Sequence, residues 1–203
     1  MARIDTLESL RAVYGQPSKR VIDKQLSRLD PHCRTFISLS PFCVLATQGA
    51  DGLGDATPRG EHPGFVAVLN DNTLALPDRP GNNRLDTLSN IIANPAVGIL
   101  FMIPGFSETL RVNGTADIRD DEDLKARFPI NGRLPATVLV VHVREAYLHC
   151  AKAFMRSKLW DPSSQVERSR MPPLGQIIKE QIADEAPAIS EEQMQEIYAR
   201  TMY

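Results

Sequence analysis

The chemistry most legible in this chain lies in Pro77-Asp78-Arg79-Pro80-Gly81-Asn82-Asn83-Arg84-Leu85-Asp86, where arginines and side-chain amides crowd a turn between two apolar stretches. Pro and Gly close an alternating segment, and Asn with Arg opens an amphipathic one. Cationic forks therefore fall beside the N–H groups that a helix start leaves unpaired, an arrangement that holds a phosphate. Arg84 is the strongest anion ligand of the set, because a guanidinium pairs with phosphate bidentately and the helix dipole adds to the attraction. Asn82 and Asn83 offer amide donors. Taken alone, the segment reads equally as a helix cap followed by a solvated charged face. A second arginine turn shifts that balance. Thr57-Pro58-Arg59-Gly60-Glu61-His62-Pro63-Gly64 places Arg59 in a Pro- and Gly-bounded loop or strand end, where glycine lets a ligand approach the backbone closely. Two such turns point to one phosphorylated small molecule.

Other reactive side chains carry weaker signals. His62 and His149 are the histidines to consider for proton transfer, since imidazole titrates at about 6.5, although each reads first as structural. The three cysteines, Cys33, Cys43 and Cys150, are odd in number and far apart. That spacing argues against a disulfide framework and against a paired-cysteine metal site, and favours reduced thiols. His32-Cys33 and His149-Cys150 are adjacent pairs, and neighbours on an extended strand point to opposite faces, so no metal is expected.

These turns need a scaffold. A chain of 203 residues with 42% hydrophobic and 24% charged side chains suits one core with terminal additions, burying roughly 70% of the unfolded surface. A net charge of -2 argues against a broad basic face, hence against nucleic acid or anionic lipid as partner. No stretch approaches the roughly 20 apolar residues of a membrane helix. Asp5 and Glu8 break the order of a secretory signal, so a cytoplasmic protein without membrane contact is expected.

Apolar spacing predicts helices over 5–14 and 18–29, with Pro31 ending the second. Strands are predicted at 42–47, 64–69, 73–76, 97–103, 108–118 and 136–143. Helices at 83–93 and 120–128 interrupt them. Short strands with few intervening helices favour an antiparallel barrel over a doubly wound sheet. Past Trp160 the chain turns rich in Pro, Ser and charge, until Ser190-Glu191-Glu192-Gln193 opens a last helix as a capping box. That helix carries Met194, Ile197 and Tyr198 on one side, a stripe that needs a partner in this chain or a second copy. The divisions are an N-terminal helical extension (1–30), a barrel domain (31–160) and a C-terminal loop and helical extension (161–203).

The order Ser40-Pro41-Phe42, Thr57-Pro58-Arg59-Gly60, Pro63-Gly64-Phe65 and Pro77 through Arg84 resembles the FMN-binding split-barrel proteins related to pyridoxamine 5′-phosphate oxidase. Phe101-Met102-Ile103-Pro104-Gly105, Glu108 through Gly114, His149 through Ala153, Arg156-Ser157 and Leu159-Trp160-Asp161 look like a bacterial subgroup of that superfamily, and the likeness spans roughly 20–165. The resemblance implies a mainly β fold, a six-stranded antiparallel split barrel with N- and C-terminal helices. It also implies a homodimer with two FMN sites built from both subunits.

Carried over residue by residue, Arg59 and Arg84 would hold the FMN phosphate with Asn82 and Asn83 nearby, while Pro77, Asp78 and Arg79 would line the ribityl chain or the ring edge. Lys158 and Trp160 look like the family's C-terminal segment that reaches the flavin; Trp160 reads equally as an ordinary, partly buried aromatic. Lys152 is a candidate cation for the reduced ring. The tail Arg168-Ser169-Arg170-Met171-Pro172-Pro173 does not match the oxidase's vitamin-phosphate set, so the implied activity is an FMN-dependent oxidoreductase of unidentified small substrate. Alternatives are a flavin-binding or sensing module without turnover, or a split barrel using deazaflavin or haem.

Overall fold

The computed structural model describes residues 3–183 and 187–202. Helices α1 (Leu7–Tyr14) and α2 (Lys19–Asp23) form an exposed N-terminal arm, and α3 (Pro31–Leu39) covers the core. There follow β1 (Phe42–Gln48), β2 (Gly54–Gly60), β3 (Ala67–Asn70), β4 (Thr73–Asp78), α4 (Asp86–Ala93), β5 (Ala96–Met102) and β6 (Thr109–Arg119). Next come α5 (Glu122–Lys125), β7 (Thr137–His149), α6 (Lys152–Ser157), α7 (Leu174–Ile182) and α8 (Glu191–Thr201). All neighbouring strands are antiparallel, in the order β2-β1-β5-β6-β7-β4-β3. The sheet curls into the expected split barrel with seven strands rather than six.

The added strand is β2. It lies at a sheet edge, where Pro58 leaves no ladder hydrogen bond missing, and its side chains alternate between exposed and half-buried, so its sequence lacks a strong apolar period. Inside the barrel, alternate residues of β1 and β5, including Leu45, Ile99 and Phe101, meet Leu110 and Val112 of β6 and Leu74 and Leu76 of β4. Each such side chain contributes about 1.5–3 kcal/mol on burial.

The helix expected over 120–128 is shortened to α5, and two departures at the N-terminal side have a clear cause. The predicted helix over 18–29 is cut to α2, because Leu26 exchanges two backbone hydrogen bonds with Ala146 and extends the β7 edge instead. Pro31 begins α3 rather than ending its predecessor. Asp30 caps that helix by accepting from the Cys33 N–H at 2.8 Å, a bond that also lowers the Asp30 pKa, and proline fits the first helical position, where no N–H is needed. The capping box at Ser190 forms as expected, and α8 lays part of its apolar stripe on α7. Among the described residues no helix is long and apolar enough to cross a membrane.

The long pair β6–β7 is kinked where Asn113 faces Glu145 but Gly114 faces Val143, leaving Arg144 as the extra residue of a β-bulge. A Cβ on Gly114 would fall 2.0 Å from the His142 carbonyl oxygen. Gly114→Ala is therefore expected to destabilise the protein by about 3 kcal/mol or more, read as a lowered urea midpoint against wild type.

Candidate functional site

Alternation along β2 sets Asp55, Thr57 and Arg59 on one half-buried face. Opposite that face stands the end of β4, where Asp78 is in register with Thr137 of β7. The chain then turns through Pro80-Gly81-Asn82-Asn83-Arg84 into α4. Together these elements enclose a cleft of about 750 Å³, a size within the range of roughly 300–1,000 Å³ that suits cofactors.

Two ion pairs cross between these walls. Arg59 Nη1 donates to Asp78 Oδ1 at 2.6 Å, with the two side chains 21% and 13% exposed. Arg79 Nε and Nη2 donate to the two oxygens of Glu61 at 2.8 and 3.2 Å, and its Nη1 donates to the Phe128 carbonyl at 2.9 Å. Both side chains of that second pair are 11% exposed, so it is a bidentate clamp largely out of water. Arg84 differs: it is 73% exposed, and its Nε donates to Asp86 Oδ2 at 2.8 Å. That hydrogen bond, the Asp86 charge and the more distant Asp55 raise the Arg84 pKa.

Unspent donors remain in the cleft wall. Arg59 Nε and Thr137 Oγ1 are buried with no hydrogen-bond partner among the described residues, although both residues line the cleft. Such orphans are costly unless a ligand or water satisfies them. The lining carries three arginines (Arg59, Arg79, Arg84) and three aspartates (Asp55, Asp78, Asp86), so formal charges cancel. An anion entering this cleft would meet the direction of individual N–H groups more than a net field. Behind Arg59, in register on β1, the thiol of Cys43 is pushed up to about 12 by burial although Arg59 pulls it down. Burial likewise pushes Cys33 up to about 11.

The structure brings together Arg59, Asp78, Arg79, Asn82, Asn83 and Arg84. Asn83 and Leu85 both have φ near +60°, which delays the start of α4 to Asp86. Arg84 thus lies in the turn and not in the first helical turn read from the sequence; its N–H is met by Asn82 Oδ1 at 3.1 Å. Pro77 is buried within β4, outside the lining. Lys158 caps α6 in the left-handed region, and Trp160 donates from Nε1 to the Phe106 carbonyl at 2.7 Å beside Phe154; neither joins this cleft in its own chain. His62 sits in an exposed Pro63-Gly64 turn, and Lys152 is exposed at the start of α6. Among the described residues no three His, Cys, Asp or Glu side chains converge to hold a metal ion.

Asp55, Thr57 and Thr137 are among the lining residues that the sequence reading did not assign to the site. Asp55 and Thr57 are signalled by their i, i+2, i+4 spacing with Arg59, once β2 is known to be a strand. Thr137, at the start of β7, carries no such signal.

A family model described as pyridoxamine 5′-phosphate oxidase matches residues 29–150. Among solved structures, a HupZ variant from Group A Streptococcus aligns with a TM-score of 0.51 at 19% identity, covering 60% of this chain and 99% of its own. A putative pyridoxamine 5′-phosphate oxidase from Lactobacillus delbrueckii gives 0.49 at 21%, covering 61% and 98%. General stress protein 26 of Bacillus anthracis gives 0.42 at 21%, covering 56% and 88%. No curated protein matches the sequence.

The bidentate clamp is open to test. Glu61→Gln leaves the Arg79 guanidinium half-satisfied and largely buried, and is expected to cost about 3 kcal/mol. Urea unfolding should show a lower midpoint at an unchanged slope.

Proposed function

The chain belongs to the pyridoxamine 5′-phosphate oxidase family, and from that premise we propose that it is an FMN-binding oxidoreductase acting on a small-molecule substrate. One observation carries the reading: the cleft that gathers Arg59, Arg84, Asn82 and Asn83 also holds two buried polar atoms, Arg59 Nε and Thr137 Oγ1, that have no partner among the described residues. A phosphate ester supplies the acceptor oxygens these groups lack.

FMN, when bound, supplies hydride or electron transfer; the chain's own residues bind and orient it. Asp78 holds one nitrogen of Arg59 and so fixes the direction of the remaining fork. Arg84 and the Asn82-Asn83 turn close on the phosphate from the other side. Arg79 acts at one remove, since its clamp to Glu61 and Phe128 anchors the base of the turn. Thr57 and Asp55, roughly 7 and 14 Å from Arg59 along β2, offer a hydroxyl and a carboxylate to a hydroxylated chain.

Purified protein is expected to be yellow and to release FMN, identified by mass spectrometry. Arg84→Ala and Arg59→Ala should each weaken retention at least tenfold, about 1.4 kcal/mol. Colourless protein that ignores added FMN overturns the reading, and release of a deazaflavin or haem replaces the cofactor. A second reading, a flavin-binding module without turnover, draws support from His62 and His149 both lying outside the cleft lining. Stopped-flow mixing with NADH or NADPH separates the two: rapid reduction and reoxidation by an organic acceptor supports the enzyme, and tight binding without reduction supports the module.

The proposal includes a homodimer in which Lys158 and Trp160, outside their own chain's cleft, serve the partner's. Light scattering of the FMN-loaded protein should give twice the chain mass of 22.5 kDa. A monomer that keeps full flavin removes the shared site.

A further inference from the structure

Both ends of the chain are structured and uncovered. Every core side chain among the described residues lies between Leu29 and Ala146, and α1, α2, α6 and α8 bury none of their residues. The consequence is measurable as area. A compact monomer of 22.5 kDa exposes roughly 9,500 Å², whereas this chain exposes 13967 Å². The excess, about 4,500 Å², is several times the roughly 800 Å² that each partner gives up in an ordinary interface. Neither extension belongs to the matched family domain, which spans residues 29–150.

The N-terminal arm is built to pack. Thr6 caps α1 by accepting from the Ser9 N–H at 3.1 Å, and the Gly15 N–H donates to the Arg11 carbonyl at 2.8 Å. Between those caps Leu7, Leu10, Val13 and Tyr14 follow helical spacing and are all exposed, as are Val21 and Ile22 of α2. An isolated helix of fewer than roughly 12–15 residues is marginal in water, so the eight residues of α1 need a surface to cover their apolar stripe. The root of the arm is fixed. At the outer corner of β6 and β7, Leu26 exchanges two backbone bonds with Ala146, and Lys24 donates to the Leu148 carbonyl at 2.7 Å. Lys24 Nζ stands 5.6 Å from the centroid of the Tyr147 ring, which Arg111 flanks from β6.

The C-terminal helices offer a complementary surface. Between α7 and α8 runs a groove of about 230 Å³ lined by Leu174, Ile189, Met194 and Tyr198, and Ile178 and Ile182 of α7 stay exposed. Charge matches as well: residues 3–25 carry five basic side chains and three acidic, while α8 carries three acidic and one basic. Within one chain the two tracts stay uncovered. We propose that the arm of one chain lays the apolar stripe of α1 on the α7–α8 pair of a second copy, with the exchange reciprocal about a two-fold axis. Such an exchange covers both tracts in both chains, whereas docking of the arm on an unrelated protein would leave α7 and α8 bare. Glu8 beside Arg11 on α1 is unlike the basic polar face that an anionic lipid surface selects. The inference does not depend on what the cleft binds.

Isotope-filtered NMR on a one-to-one mixture of methyl-labelled and unlabelled full-length protein tests the exchange. The Leu7, Leu10 and Val13 methyls are expected to show NOEs to an unlabelled copy. In light scattering across a dilution series, the double variant Leu10→Asp, Val13→Asp should raise the dimer dissociation constant at least tenfold, and Tyr198→Asp should do so from the receiving side. Arm NOEs confined to one copy, a dissociation constant unchanged in both variants, or an arm that binds anionic vesicles and not a second copy each overturns the proposal. FMN content measured in the same samples reports on the cleft separately: colourless protein whose arm still reaches a second copy fails the cofactor reading and upholds this one.

Discussion

Strands β2 and β4 stand far apart in the order of the sheet, and no backbone ladder joins them. What ties one side of the split to the other is a pair of guanidinium–carboxylate contacts, Arg59 to Asp78 and Arg79 to Glu61. Half-buried ion pairs of this kind contribute little relative to a well-packed apolar contact, but losing one partner strands a charge away from water. The four side chains therefore join the two sides beside the apolar core that Leu45 of β1 and Leu74 of β4 already share. The same four bring Arg59 and the Pro80–Arg84 turn to opposite walls of one cleft, so the fold and the site share one set of contacts.

This sharing divides the work between the arginines. Arg59 projects from a strand, is held by Asp78 and presents a fork whose direction is set before any ligand arrives, which lowers the entropy lost on binding. Arg84 rides on a turn with two non-glycine residues at positive φ, of which Asn83 tolerates that backbone and Leu85 does not do so freely. Its pair with Asp86 is open to solvent and of small value, so exchanging Asp86 for a ligand oxygen costs little. One wall is preset and the other adapts.

The strands that face the core on one side were legible because apolar and polar residues alternate in β1, β5 and β6, and the arginine turns were legible from residue type alone. What stayed hidden depends on tertiary contact. Gly54 through Gly60 reads as loop because an edge strand beside a cleft has no need of large apolar residues, and Pro31 reads as a helix stop until Asp30 is seen capping the next one. Leu26 fits a helical period but is claimed by Ala146 of a strand 120 residues later. Arg59 and Arg79 stood out in the sequence; that each is answered by a carboxylate from the other turn did not, since nothing local couples residues 59 and 61 to 78 and 79.

Charge is arranged differently at the two ends of β7, and the difference bears on what each can select. In the cleft three arginines are balanced by three aspartates, so the net field on an approaching anion is weak and discrimination falls to the fixed directions of Arg59 and Thr137. At the outer corner Arg111 and Lys24 are not balanced, and one polar ring stands between them. Attraction there is largely Coulombic and is screened over about 8–10 Å at physiological salt. A ligand with one correctly placed phosphate suits the first arrangement, whereas the second presents two cations flanking one ring. Because Coulomb attraction without enclosure weakens with ionic strength and directed hydrogen bonds in a cleft do so much less, the two ends of one strand differ in kind as well as in position.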